Sequence, residues 1–193
     1  MKSICVFCGS NTGFSPAYVE AAQELGRILV EREIKMVYGG GNVGLMGAIA
    51  DEMLHHGGEV IGVIPHFLMN KEVGHKGLTE LLLVDTMHER KAIMAEMADG
   101  FIAMPGGFGT MDELNEILTW AQLGLHRNPI GILNSGQYFD PLLRMFDHMV
   151  TQGFLRAENR GLLVDDERPL SLLEKMEQYV APDVTKWLTK GQE

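Results

Sequence analysis

The sequence predicts an α/β fold in which a doubly wound parallel sheet is covered by helices on both faces. Short apolar runs alternate with helical patterns nearly throughout the 193 residues, and the apolar runs are continuous. Strands buried on both faces have this composition, whereas strands with one wet face alternate apolar and polar residues. Residues 1–193 show no internal repeat, low-complexity tract or linker, so we expect a single domain.

The elements follow from local patterns. Pro16 suits the first turn of a helix, Pro65 is expected to end a strand, and Leu114 begins an apolar helical stripe that runs to Ala121. The predicted strands cover residues 2–9, 34–38, 59–64, 81–85, 101–104, 129–133 and 162–164. Helices are predicted over residues 15–32, 45–55, 87–98 and 141–151, after the turn at 105–110, and from residue 170 onward.

Three glycine-rich turns follow predicted strands, at residues 9–13, 39–44 and 106–109. Because parallel strands end on the same edge of a sheet, the three turns are expected to open together where such folds bind ligands. The turn at 105–110 stands between a strand and a helix, and a helix N-terminus offers free N–H groups to an anion. We interpret it as a phosphate site, with Glu113 one turn inside the helix.

A second interpretation of this turn stays open at the level of sequence. Thr110 and Glu113 have the spacing of a capping box, in which both side chains would only close the start of the helix. Glu113, Glu116 and Trp120 share one face of the same helix. That face is either an ordinary solvated flank or the lining of a ribose site.

Gly39, Gly41 and Gly44 fit the dinucleotide pattern GxGxxG, which is weak evidence alone. An NAD site would require an acidic residue at the end of the next strand, but Glu59 stands at the start of that strand. We therefore predict a nucleotide pocket without a bound NAD or other cofactor.

The helix over residues 87–98 places Arg90 in an apolar stripe with Met87, Met94 and Met97. A buried guanidinium without an anionic partner is costly, so Arg90 requires a carboxylate or a ligand. The alternatives are a structural ion pair, or an arginine whose charged end reaches water. We favour a role in the site, because this helix begins at the same edge as the glycine turns.

Composition excludes several classes. A formal net charge of −10 argues against a nucleic-acid partner, and no apolar run approaches the ~20 residues of a membrane helix. The N-terminus enters a strand without a signal-peptide pattern, so we expect a cytoplasmic protein. Cys5 and Cys8 fall in a strand, where they point to opposite faces, and we expect two buried, reduced thiols. The histidines show no metal spacing, so no metal site is predicted.

Two segments, PGGFGTMDE at 105–113 and MHERK at 87–91, resemble the paired signatures of the Lonely Guy family. Members are phosphoribohydrolases that release cytokinin bases from nucleoside 5′-monophosphates. The segments FCGS, YGGGNVGLMG, IGVIP and TWAQLGLH are also similar to that family, so the match covers most of the chain. Many members have been labelled lysine decarboxylases, but no lysine here has a recognisable Schiff-base context.

The resemblance implies a Rossmann-like domain, a homodimer or a larger assembly, and a nucleotide substrate such as AMP or its N6-prenylated form. It implies that Arg90 and Glu113 are catalytic. The substrate-binding positions that it implies are Glu72, Lys91, Gly106, Gly107, Phe108, Gly109, Thr110, Met111, Asp112 and Thr119. To these we add Ser10, Gly41 and Glu116, from the other turns and the acidic face. Phe108 and Asp112 stand where the family commonly has Tyr and Glu, which bears on base preference. The alternative from another class is a non-catalytic carrier of a nucleotide or of the molybdenum cofactor.

Overall fold

A computed structural model describes residues 1–69 and 74–182 and confirms the doubly wound α/β fold. Within these ranges seven parallel strands form one sheet in the order β4-β3-β2-β1-β5-β6-β7. The strands are β1 (Ser3–Phe7), β2 (Lys35–Tyr38), β3 (Val60–Pro65), β4 (Glu80–Val84), β5 (Gly100–Ala103), β6 (Ile130–Leu133) and β7 (Leu163–Asp166).

The described α-helices are α1 (Pro16–Glu31), α2 (Gly44–His55), α3 (His66–Met69), α4 (Met87–Glu96), α5 (Phe108–Leu123), α6 (Asp140–Thr151), α7 (Ala157–Arg160) and α8 (Pro169–Glu177). Six of them lie close to their predicted positions, whereas the short helices α3 and α7 were not predicted. Ser15 caps α1 through a hydrogen bond that its side chain accepts from the N–H of Ala17. The predicted end of β3 was wrong by one residue, because Pro65 is the last residue of the strand and pairs with Val84 of β4.

Strand order reverses beside β1. From β1 the chain moves outward through β2, β3 and β4, and it then crosses to β5 on the other side of β1. The carboxyl ends of β1 and β5 therefore flank the switch point, where open α/β sheets bind their ligands. The turns that follow these two strands are residues 9–13 and 105–107.

The five inner strands are largely buried by apolar side chains on both faces, whereas the edge strands β4 and β7 are partly exposed. The two cysteines lie on opposite faces of the sheet, as predicted. Cys5 packs in a cluster with Phe7 and Phe101, whereas Cys8 packs with Ile4 and Val6. Both are free thiols. Burial raises the pKa of each thiol, and the negative charge of the Glu113 carboxylate raises it further.

None of the helices within residues 1–69 and 74–182 combines the length and the apolar composition needed to cross a membrane.

Candidate active site

The three glycine turns meet at the switch point. The N–H of Gly9 donates to the carbonyl of Pro105 at 3.0 Å, and the N–H of Leu45 donates to the carbonyl of Gly9 at 3.0 Å. A Cβ on Gly9 would lie 3.2 Å from the Cα of Gly106, and one on Gly44, where φ is 61°, would overlap the backbone of Ser10. Main chain therefore approaches main chain so closely here that side chains are excluded.

Arg90 lies beneath the second turn. Its Nη2 donates to the carbonyl of Gly39 at 3.4 Å, and a Cβ on Gly39 would collide with the guanidinium. The next carbonyls of this turn are also occupied: Gly40 accepts from the N–H of His75 at 2.9 Å, and Gly41 accepts from the hydroxyl of Tyr38 at 3.1 Å. The absence of a side chain at Gly39 is what leaves room for the arginine.

Arg90 and Glu113, predicted to meet, form a buried ion pair. Nη2 of Arg90 lies 3.7 Å from Oε1 of Glu113, and the side chains are only 7% and 12% exposed. The alternative in which Arg90 reaches water was therefore wrong. Nη1 faces Sδ of Met87 at 3.7 Å, whereas Nε is buried and has no hydrogen-bond partner among the described residues. A buried guanidinium with one N–H that makes no hydrogen bond is typical of a ligand-binding site, whereas a purely structural ion pair usually satisfies all its donors.

The start of α5 contradicts the capping-box interpretation. Gly107 is the N-cap, α5 begins at Phe108, and Thr110 is therefore the third residue inside the helix. The hydroxyl of Thr110 occupies the space that a side chain on Gly106 would need, and no side chain caps the helix. The first helical hydrogen bond runs from the N–H of Met111 to the carbonyl of Gly107. The N–H groups of Phe108, Gly109 and Thr110 thus have no intrahelical acceptor, which leaves the positive end of the helix available to an anion.

A cleft of about 250 Å³ opens beside this helix end, between the turns that follow β1 and β5. Three of the predicted substrate-binding positions, Ser10, Gly106 and Gly107, line this cleft. Tyr18 of α1 and Tyr138, which follows β6, also line the cleft. Neither tyrosine was predicted from the sequence as a site residue. The one available signal for Tyr138 was its place after a fourth strand, on the edge where the glycine turns lie.

Five other predicted substrate-binding positions lie on the outer face of α5, which is the face that carries Glu116. Phe108, Met111, Asp112, Glu116 and Thr119 line a second, open cavity of about 580 Å³ together with Asn115 and Trp120. This cavity and the cleft share no lining residue. The hydroxyl of Thr119 donates to the carbonyl of Asn115 at 2.7 Å. Glu72 lies outside the described residues.

Lys91 connects the two groups of residues, because it follows Arg90 on α4 and binds the outer face of α5. Its Nζ donates to Glu116 at 3.0 Å and to Asp112 at 3.2 Å. Burial lowers the pKa of Lys91, but the hydrogen bonds to Glu116 and Asp112 outweigh that effect and the net shift is upward. The predicted acidic face is therefore divided: Glu113 pairs inward with Arg90, and Glu116 pairs outward with Lys91.

Comparison with known proteins places the chain among related sequences. A family model described as "Possible lysine decarboxylase" matches residues 46–176. A probable cytokinin riboside 5′-monophosphate phosphoribohydrolase of Oryza sativa subsp. japonica is 52% identical over 176 residues, which are 91% of this chain and 79% of that protein. A cytokinin riboside 5′-monophosphate phosphoribohydrolase of Arabidopsis thaliana is 49% identical over 178 residues, which are 92% of this chain and 82% of that protein.

Solved structures share the fold at lower identity. A molybdenum cofactor binding protein from Rippkaea orientalis superposes with a TM-score of 0.67 at 17% identity, covering 92% of this chain and 97% of that one. A molybdenum cofactor carrier protein from Chlamydomonas reinhardtii gives a TM-score of 0.69 at 17% identity, with 91% and 96% covered. At such identity the likeness concerns the fold alone.

Proposed function

The chain belongs to the Lonely Guy family of phosphoribohydrolases, and we propose that it hydrolyses the N-glycosidic bond of nucleoside 5′-monophosphates. The products are a free base and ribose 5-phosphate, and AMP or its N6-modified forms are the proposed substrates. The observation that carries the proposal is the buried Arg90–Glu113 pair at the switch point, beside the free start of α5.

The 5′-phosphate binds at the start of α5. The N–H groups of Gly109 and Thr110 lack intrahelical acceptors, and the helix dipole adds about half a positive charge there. The neighbouring cleft, lined by Ser10 and Gly107, has room for the phosphate group. Binding energy from the phosphate is remote from the bond that breaks, so it can be used to hold the sugar in the reactive geometry.

Cleavage transfers the electron pair of the glycosidic bond to the departing base, and the oxygen of water forms the new bond to C1′ of the ribose. The proton that the water loses ends on the base nitrogen, so both products are neutral at the broken bond. The sugar acquires oxocarbenium character in the transition state, as in glycoside hydrolysis. The Glu113 carboxylate stabilises that positive charge, holds a ribose hydroxyl or orients the attacking water. Arg90 fixes the position of this carboxylate at 3.7 Å and keeps Nε for the substrate.

Lysine decarboxylation does not suit this site. A lysine that forms a Schiff base requires a lowered pKa, so that its amine is neutral and nucleophilic. Lys91, the neighbour of Arg90 on α4, has a raised pKa because Glu116 and Asp112 accept hydrogen bonds from it.

We also propose that the chain forms a homodimer and acts in the cytoplasm. Phe108, which is 96% exposed, lines the open cavity on the outer face of α5 together with Met111 and Trp120, and apolar groups clustered in this way commonly mark a surface that binds another protein. Cys5 and Cys8 are buried free thiols, so the described residues include no disulfide whose formation would require an oxidising compartment.

The test is to incubate the protein with AMP and with adenosine and to measure adenine release. We expect kcat/KM for adenosine to be at least about 10²-fold lower, because each charge-assisted hydrogen bond to phosphate contributes about 1.5–3 kcal/mol. Ribose 5-phosphate should appear in equal amount to the adenine from AMP. Equal turnover of AMP and adenosine would contradict the proposal, and tight nucleotide retention without any release would favour a carrier.

A further inference from the structure

The turn between β5 and α5 is held from outside by a tyrosine. The hydroxyl of Tyr138 donates a hydrogen bond of 2.6 Å to the carbonyl of Gly106. This is short for a hydroxyl–carbonyl contact, and it joins the loop after β6 to the turn where the phosphate is proposed to bind. Tyr138 also lines the cleft itself.

The loop that carries Tyr138 is shaped to present it. Gly136 and Gln137 both have left-handed backbone angles, with φ of 59° and 58°, and a residue other than glycine is uncommon there. The Asn134 side chain closes the loop by accepting from the N–H of Phe139 at 2.7 Å and donating to Asp140 at 2.8 Å. The ring of Tyr138 rests edge-on against Tyr18, with centroids 5.9 Å apart.

The bond to Gly106 has a consequence for the next N–H group. A peptide unit is planar and trans, so its C=O and its N–H point in opposite directions. When Tyr138 fixes the carbonyl of Gly106, it also fixes the direction of the N–H of Gly107, the N-cap of α5. Gly106 cannot carry a side chain that would stiffen the turn, because a Cβ would overlap the Thr110 hydroxyl.

We propose that Tyr138 is a positioning residue for the phosphate-binding turn. It acts through the main chain of Gly106 and Gly107, and its effect falls on substrate binding rather than on bond cleavage. This role rests on the proposed function of the site. This role gives a reason for the strained loop after β6, which brings Tyr138 to the turn between β5 and α5. The glycines of that turn allow main chain to approach main chain, but they have no side chains that could hold the turn in place.

The test is Tyr138→Phe, which removes the hydroxyl and keeps the ring. We expect KM for AMP to rise about three- to tenfold, as befits the loss of one hydrogen bond, with kcat changed less than about twofold. The dissociation constant for ribose 5-phosphate, measured by calorimetry, should rise by the same factor. Tyr179→Phe, just after α8 and outside the lining of the cleft, is the matched control and should leave both values unchanged.

The calorimetric measurement separates this role from the proposed reaction, because it requires no turnover. If the unaltered protein binds ribose 5-phosphate but does not cleave AMP, the reaction fails while the weaker binding by Tyr138→Phe still supports the positioning role. If Tyr138→Phe leaves both KM and the affinity for ribose 5-phosphate unchanged, the positioning role is wrong. This holds even if the melting temperature falls, since a purely structural residue would lower stability without changing binding. A loss confined to kcat, or no binding of ribose 5-phosphate by the unaltered protein, also overturns it.

Discussion

Replacing Glu113 by glutamine is expected to lower kcat for AMP hydrolysis by about 10²- to 10³-fold, the usual cost of removing one group that stabilises transition-state charge. Glutamine keeps the size and shape of the side chain but has no negative charge to stabilise the oxocarbenium-like sugar. KM should change much less, because the proposed phosphate site is formed by the main chain at the start of α5 and not by the Glu113 side chain. Steady-state assays of adenine release from AMP measure both quantities.

The matched control is Glu96→Gln, on the exposed end of α4 and outside both cavities. It makes the same chemical change and should leave kcat within about twofold, as surface substitutions generally do. If Glu113→Gln retained the kcat of the unaltered protein, Glu113 would not stabilise the transition state, and the inward ion pair with Arg90 would be merely structural.

Gly39→Ala is expected to lower kcat/KM for AMP by about 10²-fold, although Gly39 itself has no functional group. The added methyl group would collide with the Arg90 guanidinium and displace it from Glu113. A displacement of about 1 Å in a catalytic constellation costs activity on this scale. The kinetics should be read together with circular dichroism, which is expected to show an unchanged fold.

Gly161→Ala, after α7, provides the control for inserting a methyl group at a glycine. Its backbone φ is −71°, and the nearest atom to the added carbon would be a carbonyl oxygen at 3.2 Å, so only a small adjustment is required. Activity should persist in that variant. Full activity in Gly39→Ala would show that the reaction tolerates a displaced guanidinium, and Arg90 would then have no role in positioning Glu113.

Much of the fold could be predicted from the sequence because its signals are local. The strands of a parallel sheet are buried on both sides, so runs such as β3 and β6 are apolar throughout. The two single-turn helices, α3 and α7, were not predicted, since four residues are too short to show a helical period. The first residue of α5 could not be predicted from the sequence either. A capping box and a phosphate turn use the same residue types, and only the backbone of Gly107 distinguishes them.

The pairing of Arg90 with Glu113 could also be predicted from the sequence. An arginine in an apolar stripe requires an anionic partner, and the topology left Glu113 as the candidate at the same edge of the sheet. The division of α5 into an inward and an outward group could not be foreseen, because Glu113 and Glu116 are only one helical turn apart. Their separation depends on Arg90 and Lys91, two neighbours on α4 that pair with different carboxylates.

We expect a nucleotide to bind with its phosphate at the start of α5 and its ribose at the Arg90–Glu113 pair. A crystal structure of Glu113→Gln with AMP tests this arrangement most directly, because the impaired variant should retain the intact nucleotide. We expect the phosphate oxygens within hydrogen-bond distance, about 2.7–3.2 Å, of the N–H groups of Gly109 and Thr110. C1′ of the ribose should lie beside residue 113 and Arg90. AMP bound elsewhere, or bound with its phosphate away from the start of α5, would contradict the account.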